Sequence, residues 1–246
     1  MTATRQVTPI AVACLRRRSD RREAITSNLR SVSVTDALFA DDIGASVDWR
    51  DWNYYEIARL AQSVFPWRVV ESDNSWWGRD VKLGEIACAL THWRLWTYGH
   101  TRQFANLIIL EDDAECLPEF VRRDDGLAAL SQADPNWDLL YLGRERLESD
   151  RGTIGAFAVP GFSYCTYGYA LSARGIEKLL STDLPNSIIP IDEFLPAMYM
   201  PHPRPDVRAR FPAGIAAYGL LQDVVTVRSE DQWGSDTETS PLLTTK

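Results

Sequence analysis

Three adjacent carboxylates directly follow a short apolar run near the middle of this sequence. The stretch NLIILEDDAECLPEF places Leu107–Leu110 immediately before Glu111, Asp112 and Asp113. A buried strand cannot carry three unpaired charges, because removing each one from water costs several kcal/mol. Water, a basic side chain or a metal ion is therefore expected to compensate them.

The position of these carboxylates at a strand end favours a divalent cation. In open parallel sheets, ligands bind beyond the carboxyl ends of the strands. If the chain stays extended, Glu111 and Asp113 point to one side and Asp112 to the other. Mg²⁺ and Mn²⁺ prefer carboxylate oxygens and keep positions open for substrate phosphates, which suits a nucleotide diphosphate. Two alternatives stay open: a hydrated strand end, and a cap on a helix that begins near Pro118.

Strands alternate with helices around this motif. Apolar runs predict strands at Pro9–Leu15, Asn106–Leu110 and Trp137–Gly143. Helices are predicted after Ser19, which can cap the first of them, and over Lys82–Gly99. The second helix carries apolar residues at helical spacing, namely Ile86, Leu90, Trp93 and Trp96. This alternation predicts an α/β domain with a mostly parallel sheet covered on both faces.

Length and composition predict one ordinary globular domain. The chain has 246 residues, of which 45% are hydrophobic and 24% charged, so a single domain is expected over residues 1–246. Residues 229–246 are polar and are predicted to form an extended tail. The net charge of -8 gives no general attraction to nucleic acid, and no nucleic-acid partner is expected. The oligomeric state stays open.

The sequence gives no sign of a membrane span or of a secretion signal. No apolar run approaches the roughly 18 residues needed to cross a bilayer, and the basic residues near the N-terminus follow the apolar stretch, the reverse of a signal peptide. A cytoplasmic protein is therefore expected. The cysteines lack C-x-x-C spacing and are expected to be small buried residues; they are Cys14, Cys88, Cys116 and Cys165.

Six short segments occur in a fixed order along the chain: KLGEIACALTHW, LEDDAE, LLYLG, YCTYGYALSARGIEKLL, IDEFLPAMY and SDTETS. Together they resemble glycosyltransferase family 25, which contains bacterial lipooligosaccharide galactosyltransferases and eukaryotic procollagen galactosyltransferases. The resemblance extends from Ile10 to about Ser240. DEFLP and SDTETS look most like the collagen-modifying branch, whereas the compact length looks like the bacterial branch.

The resemblance implies a GT-A-type, Rossmann-like nucleotide-sugar fold, with UDP-galactose as donor and a divalent cation, Mn²⁺ or Mg²⁺. In such folds, an acidic D-x-D-like motif at a strand end binds the metal and the donor ribose. Glu111, Asp112 and Asp113 match that motif. Asp113 is expected to bind the metal directly, and Glu111 or Asp112 to face the ribose or a second ligand position. Galactose and glucose both remain candidates for the transferred sugar.

The first strand departs from the family pattern. The family usually reads like INLDRRPDR, whereas this chain reads ACLRRRSDR, with Cys14 in place of Asn and Arg16 in place of Asp. Arg17, Arg18 and Arg21 still match. Their guanidinium groups are suited to bidentate binding of the donor diphosphate. A solvated basic turn is the alternative.

The helix containing GEIACALTH flanks the donor pocket in the family. Lys82, Glu85 and His92 are therefore candidates for polar contacts to the donor or the acceptor. Glu85 and His92 are seven residues apart, which places both on one helical face. A hydrogen-bonded pair in the core is the alternative for these two residues.

A second acidic site, Asp192 and Glu193, stands in the segment IPIDEFLP. If the reaction inverts the anomeric centre, one carboxylate must take the proton of the acceptor hydroxyl. Asp192 is predicted to be this base, with Glu193 as second choice. Acidic residues are also favoured at a helix N-terminus by the backbone dipole. Asp192 is alternatively a partner for a cationic acceptor such as a hydroxylysine amine.

Further candidates lie in the second half of the chain. His202 and Asp236 are candidate late metal ligands, since GT-A folds often recruit one from that part. Tyr164, Tyr167 and Tyr169 are candidates for stacking on a sugar face, although so dense a group of aromatic residues is more often core.

Three classes of function remain distinguishable. A metal-dependent glycosyltransferase needs both acidic sites and acts on a lipooligosaccharide glycan, a collagen-like protein or another polysaccharide precursor. A catalytically silent binding relative would have lost an acidic motif, and both are present here. A glycoside hydrolase would use two carboxylates without binding a nucleotide.

Overall fold

The computed structural model describes residues 7–228 and 234–243. Within these ranges the chain forms ten strands. They are β1 Ile10–Ala13, β2 Leu38–Phe39, β3 Asn106–Glu111, β4 Ala114–Cys116, β5 Leu139–Arg146, β6 Gly152–Ile154, β7 Phe157–Val159, β8 Ser163–Ser172, β9 Ala217–Leu220 and β10 Val225–Val227.

Seven α-helices lie in the same described ranges. They are α1 Ser19–Ser31, α2 Tyr54–Ala61, α3 Leu83–Thr101, α4 Arg123–Ala133, α5 Ala173–Leu180, α6 Ile191–Tyr199 and α7 Pro205–Arg210. Short 3₁₀ turns occur at Trp49–Asp51, Pro118–Arg122 and Leu184–Asn186. None of the helices in the described part of the chain combines the length and apolarity that a bilayer span requires.

The main sheet has eight strands in the order β2-β1-β3-β8-β5-β9-β7-β6. β1 pairs in parallel with β2 and β3, and β5 pairs in parallel with β9, whereas β8 is antiparallel to both β3 and β5. β7 is antiparallel to β9 and β6. Six of the eight strands therefore share one direction, and the predicted α/β fold with a mostly parallel sheet is confirmed. The antiparallel position of β8 at the centre was not predicted.

β3 is buried on both faces, which explains its uninterrupted apolar run. Leu107 and Ile109 pack into the core cluster that also contains Leu95 and Trp96 of α3. Ile108 and Leu110 pack into the opposite cluster with α1 and α4. Helices thus cover both faces of the sheet, as predicted. Each fully buried aliphatic side chain contributes roughly 1.5–3 kcal/mol to this arrangement.

A two-stranded ribbon, β4 with β10, lies just beyond the acidic motif. The backbone N–H of Arg228 donates to the carbonyl of Asp113 over 2.9 Å. The ribbon packs directly on the sheet at Gly143, where a Cβ would lie 1.9 Å from the carbonyl oxygen of Val225. Only glycine at position 143 allows this close approach. Since the ribbon also includes β4 and bonds to Asp113, its packing on the sheet positions the backbone that follows β3.

Residues 234–243, within the segment predicted to be an extended tail, pack on the beginning of α3. The Ser240 hydroxyl accepts a hydrogen bond from the Gly84 N–H over 2.9 Å, and the Leu243 N–H donates to Val81 over 2.7 Å. A Cβ at Gly84 would lie 2.7 Å from the Cα of Thr237. Residues 229–233 and 244–246 of that segment lie outside the described residues.

Candidate active site

A cleft of about 600 Å³ opens beyond the ends of β1 and β3. β8, α3, the first turn of α6 and the segment 234–238 complete its walls. The structure therefore brings together side chains that are distant in sequence. The predicted site residues that line the cleft are Arg21, Glu85, Glu111, Asp112, Asp113, Asp192 and Glu193, together with Asp236.

Asp112 is compensated by a buried arginine of α1. Arg21 Nη1 lies 2.6 Å from Asp112 Oδ1 and 3.3 Å from Asp113 Oδ2, and the side chains of Arg21 and Asp112 are each 8% exposed. Burial raises the pKa of Asp112 above its usual value, and Arg21 only partly opposes that rise. Arg21 is thus the partner of the strand-end carboxylates in the free protein.

Glu111 is held by side chains from β8 and α3. The Thr166 hydroxyl donates to Glu111 Oε1, and His92 Nε2 lies 3.6 Å from the same oxygen. Burial raises the pKa of Glu111, but His92 and Thr166 favour the charged form and bring the net pKa below its usual value. Glu111 is therefore an anion that accepts a hydrogen bond from Thr166 and has the His92 imidazole close by.

Asp113 differs from its two neighbours because one of its oxygens is both inaccessible to solvent and without a partner among the described residues. Its Oδ1 is inaccessible to solvent and accepts no hydrogen bond within the described part of the chain. Burial, with the charges of Glu111 and Asp112, raises the pKa of Asp113 to about 7. A buried carboxylate in this state binds a cation more readily than one already paired.

Asp192, at the beginning of α6, also combines a buried oxygen without a partner in the described part of the chain and a raised pKa. Its Oδ1 is inaccessible and unpartnered among the described residues. Burial, with the charges of Glu111, Glu193 and Glu85, raises the pKa of Asp192 to about 8, while a hydrogen bond from the Cys165 backbone opposes the shift. Cys165 has φ +69°, a strained conformation for a residue with a side chain. Asp192 thus combines a raised pKa with a buried oxygen that has no partner among the described residues, next to a strained backbone position.

Glu193, the second predicted base, is fully occupied. Its Oε1 accepts from Trp77 Nε1 over 3.0 Å and from the Tyr164 hydroxyl over 2.5 Å, and its Oε2 accepts from His202 Nε2 over 2.8 Å. His202 Nδ1 in turn accepts the N–H of Arg204 over 3.0 Å. Both oxygens of Glu193 and both ring nitrogens of His202 thus have partners. Glu193 as the base and His202 as a metal ligand stay predictions that this arrangement does not favour.

The predicted diphosphate-binding arginines are paired with the segment 234–238. Asp236 accepts from Arg17 over 2.8 Å, from Arg18 over 2.6 Å and from Arg50 over 3.2 Å. Burial raises the pKa of Asp236, but Arg18 and Arg17 bring it below the usual value. Asp236 thus compensates these guanidinium groups, and its role as a metal ligand stays a prediction. Diphosphate binding by Arg17, Arg18 and Arg21 stays a prediction.

The candidates on α3 have structural partners as well. Lys82 donates to the carbonyl and carboxylate of Glu238. Glu85 accepts two hydrogen bonds from Arg79, at 2.9 and 2.6 Å, and one from the Lys82 N–H at 2.7 Å, which closes the first turn of the helix. His92 contacts Tyr169, so the alternative of a Glu85–His92 core pair is wrong.

Aromatic residues form part of the cleft wall. Tyr164 and Tyr167 line it, whereas Tyr169 is completely buried and belongs to the core. Three further aromatic residues that were not predicted from the sequence also line the cleft, namely Trp49, Trp67 and Trp76. The density of tryptophan before α3 was the available signal, but it carries no periodicity that would distinguish a cleft wall from a core.

Comparison with known proteins relates this site to a family. The sequence model described as glycosyltransferase family 25 (LPS biosynthesis protein) matches residues 7–142, more than half of the chain. The chain is 31% identical over 240 residues to inactive glycosyltransferase 25 family member 3 of Homo sapiens, and 31% identical over 238 residues to procollagen galactosyltransferase 1 of Danio rerio.

These alignments include 94% and 93% of this chain but only 39% and 38% of the two relatives. The chain thus spans about two fifths of the length of the curated relatives that it matches. Among solved structures, mannose-1-phosphate geranyltransferase from Thermus thermophilus aligns with 87% of this chain and 74% of its own, at 11% identity and a TM-score of 0.38. That likeness is too weak to carry an argument. On the sequence match, this chain belongs to glycosyltransferase family 25.

Proposed function

We propose that this chain is an inverting, divalent-cation-dependent glycosyltransferase that moves galactose or glucose from a UDP-sugar to a hydroxyl acceptor. Acceptors of the right chemistry are a lipooligosaccharide glycan and a hydroxylysine of a collagen-like protein. Family membership supports a transferase. The procollagen galactosyltransferases among its relatives support galactose and a collagen-like acceptor.

One observation carries the proposal. Asp113 and Asp192 each keep a buried, unpartnered carboxylate oxygen in one cleft. The neighbouring carboxylates of Asp112 and Glu193 have guanidinium, indole, hydroxyl or imidazole partners. A buried polar atom without a partner destabilises the folded protein, so two of them in one cleft point to a bound ligand.

The donor chemistry of Asp113 fits a hard divalent ion. Carboxylate oxygens suit Mn²⁺ and Mg²⁺, and Asp113 would hold the ion with Glu111 and Asp112 beside it. When bound, the ion supplies positive charge that neutralises the donor diphosphate and stabilises UDP as the leaving group. A positive charge in this cleft also lowers the pKa of a nearby carboxyl such as Asp192.

Asp192 is the proposed general base. The acceptor oxygen forms a bond to the anomeric carbon while the bond from that carbon to the diphosphate oxygen breaks, and its electron pair leaves with UDP. The proton of the acceptor hydroxyl moves to a carboxylate oxygen of Asp192. Attack on the face opposite UDP inverts the anomeric centre.

The test is UDP release from UDP-galactose and UDP-glucose, with and without Mn²⁺, over a panel of acceptors that includes a hydroxylysine-containing collagen peptide. We expect release that needs both Mn²⁺ and one acceptor. Asp113→Asn is expected to abolish the response to Mn²⁺. The matched control is Asp36→Asn, which changes an exposed carboxylate outside the cleft lining. Full turnover by Asp113→Asn would refute the metal assignment.

Binding of a sugar nucleotide or a glycan without turnover is the second candidate function. It is favoured by relatives whose names include the word inactive. In that case, calorimetry would detect UDP binding while no acceptor in the panel gave UDP release.

A further inference from the structure

We propose that Cys88 and Glu111, which line the cleft, form with the buried His92 a cation site that selects a borderline divalent ion such as Zn²⁺. Its thiol and imidazole donors distinguish it from the carboxylate site proposed at Asp113. The inference does not depend on transfer activity, because it concerns the binding of an ion by the free protein. It also gives Cys88 a role other than the inert packing expected from the sequence.

The helix and the strand place the three donors together. Cys88 and His92 are four residues apart on α3, so their side chains project from one face one turn apart. Glu111 ends β3 opposite that face. One ligand atom from each residue lies within 4.8 Å of the other two. Tetrahedral Zn²⁺ requires separations of about 3.5 Å, which rotamer adjustments of about 1 Å in these side chains would reach.

The imidazole of His92 is the observation that points to a ligand. His92 is 0% exposed, and its Nε2 has no hydrogen-bond partner among the described residues. Its Nδ1 lies 2.6 Å from the Tyr169 hydroxyl, which also accepts the indole N–H of Trp96 over 3.0 Å. A histidine held through one ring nitrogen, with the other directed at a carboxylate and a thiol, has the arrangement of a metal-binding histidine.

The surroundings favour a cation over a bare thiol. Four carboxylates act electrostatically on Cys88, and they belong to Glu111, Asp112, Asp113 and Asp192. A divalent ion would compensate that negative charge, and coordination would release the thiol proton to solvent. Thr166, which donates to Glu111, orients the third ligand. Three protein ligands would leave one position of a tetrahedral ion for water.

The donor set also predicts which ion binds. Thiolate and imidazole prefer Zn²⁺ and Co²⁺ over Mn²⁺ and Mg²⁺. The cleft would then contain two sites with opposite preferences, a hard one at Asp113 and a borderline one at Cys88. An ion at the borderline site would also tie α3 to the end of β3.

Co²⁺ titration of the chelator-treated, reduced protein tests the proposal, because a cobalt–thiolate bond gives a near-ultraviolet charge-transfer band. We expect the band to saturate at one equivalent, to disappear when Zn²⁺ is added and to persist in excess Mg²⁺. Cys88→Ser is expected to abolish it. His92→Gln is expected to weaken Co²⁺ binding at least about tenfold.

Two variants serve as controls. Cys165→Ser removes another thiol that lines the same cleft and is expected to keep the band. Asp113→Asn is expected to keep it too, which separates this site from the proposed catalytic metal. The proposal is overturned if the folded wild-type protein gives no band, if the band survives in Cys88→Ser, or if it is lost in Cys165→Ser. Circular dichroism verifies that each variant is folded.

Discussion

The floor and the rim of the cleft differ in how their charged side chains are compensated. The floor is formed by Asp113 and Asp192, and the rim by Arg17, Arg18 and Asp236. On the floor, Asp113 and Asp192 retain unpartnered buried oxygens, and their pKa values are raised to about 7 and about 8. On the rim, Arg17 and Arg18 share the carboxylate of Asp236, whose pKa lies below its usual value. The rim is electrostatically complete without a ligand, whereas the floor is not.

The difference indicates where binding free energy is available. A ligand that approaches the rim must replace ion pairs that already exist, so its net gain is small. A cation that approaches the floor meets two carboxylates that each retain a buried oxygen without a partner among the described residues, and it offsets the repulsion from the neighbouring carboxylates. The unpartnered carboxylate oxygens on the floor therefore lower the stability of the folded protein, a cost that is typical of functional sites.

The largest expected effect is the loss of the proposed base. Asp192→Asn keeps the size of the side chain but cannot accept the acceptor proton, so we expect UDP release to fall about 10²–10⁴-fold at saturating Mn²⁺ and donor. Steady-state assays beside Asp36→Asn measure this effect. Unchanged turnover in Asp192→Asn would show that another group takes the proton.

The next largest effect is expected in Mn²⁺ affinity, which should differ between variants of the floor and of the rim. Asp113→Asn removes the unpartnered oxygen anion of the floor, and we expect Mn²⁺ affinity to fall at least about tenfold, since even residues that only support metal ligands contribute about 10–100-fold. Calorimetric titration with Mn²⁺ measures the change. Asp236→Asn, which alters only the rim, is expected to leave Mn²⁺ affinity unaltered. Equal losses in the two variants would remove the distinction between floor and rim.

The floor also predicts how stability depends on pH. The pKa of Asp192 in the folded protein, about 8, exceeds its ordinary value of 3.8, so the folded state holds the proton more tightly. Its contribution to stability is complete below pH 3.8 and is lost as the pH rises through about 8. The expected slope from this group is at most about 1.4 kcal/mol per pH unit.

Urea unfolding of the cation-free protein at several values between about pH 6 and about pH 8 measures this slope. That range is roughly the upper half of the interval between the ordinary pKa of Asp192 and its pKa in the folded protein. Asp192→Asn is expected to make the slope shallower, because the amide does not titrate; Asp113, whose pKa is raised to about 7, supplies the remainder. Asp36→Asn is expected to leave the slope unaltered. A slope that is identical in Asp192→Asn and the wild-type protein would contradict the raised pKa.

The smallest expected effect lies on the rim. Asp236→Asn weakens three partly exposed ion pairs and is expected to lower the free energy of unfolding by about 1–2 kcal/mol. Because partly exposed pairs are screened by salt, the difference from wild type is expected to shrink in high salt. Thermal unfolding at low and high salt measures both changes. A salt-independent loss would show that the ion pairs are not its source.

Local patterns predicted the fold and the strand and helix that position the acidic motif. The apolar run of β3, the helical spacing of α3 and the strand-end acidic motif each depend on neighbouring residues, and all three are present in the structure. Asp192 was predicted from family resemblance and from its acidic context. The structure places it in the same cleft as Asp113.

Contacts between distant segments could not be read from those patterns. Arg21 and Asp112 are 91 residues apart, and Arg17 and Asp236 are 219 apart. The polar composition of residues 234–240 resembles that of a solvated tail, because hydrogen bonds and ion pairs rather than apolar periodicity attach the segment to α3. The full occupation of Glu193 depends on Trp77, Tyr164 and His202, which no local rule connects.

The central position of β8 has a consequence for folding. β8 pairs with both β3 and β5, and its Thr166 and Tyr169 contact Glu111 and His92 from 55 and 77 residues away in sequence. Such long-range pairing is expected to form slowly, and its amide protons are expected to exchange only in openings that disrupt the middle of the sheet. The cleft is therefore expected to form and to unfold together with the middle of the sheet. A partly folded chain in which β8 is not yet paired would lack the contacts that hold Glu111 and His92.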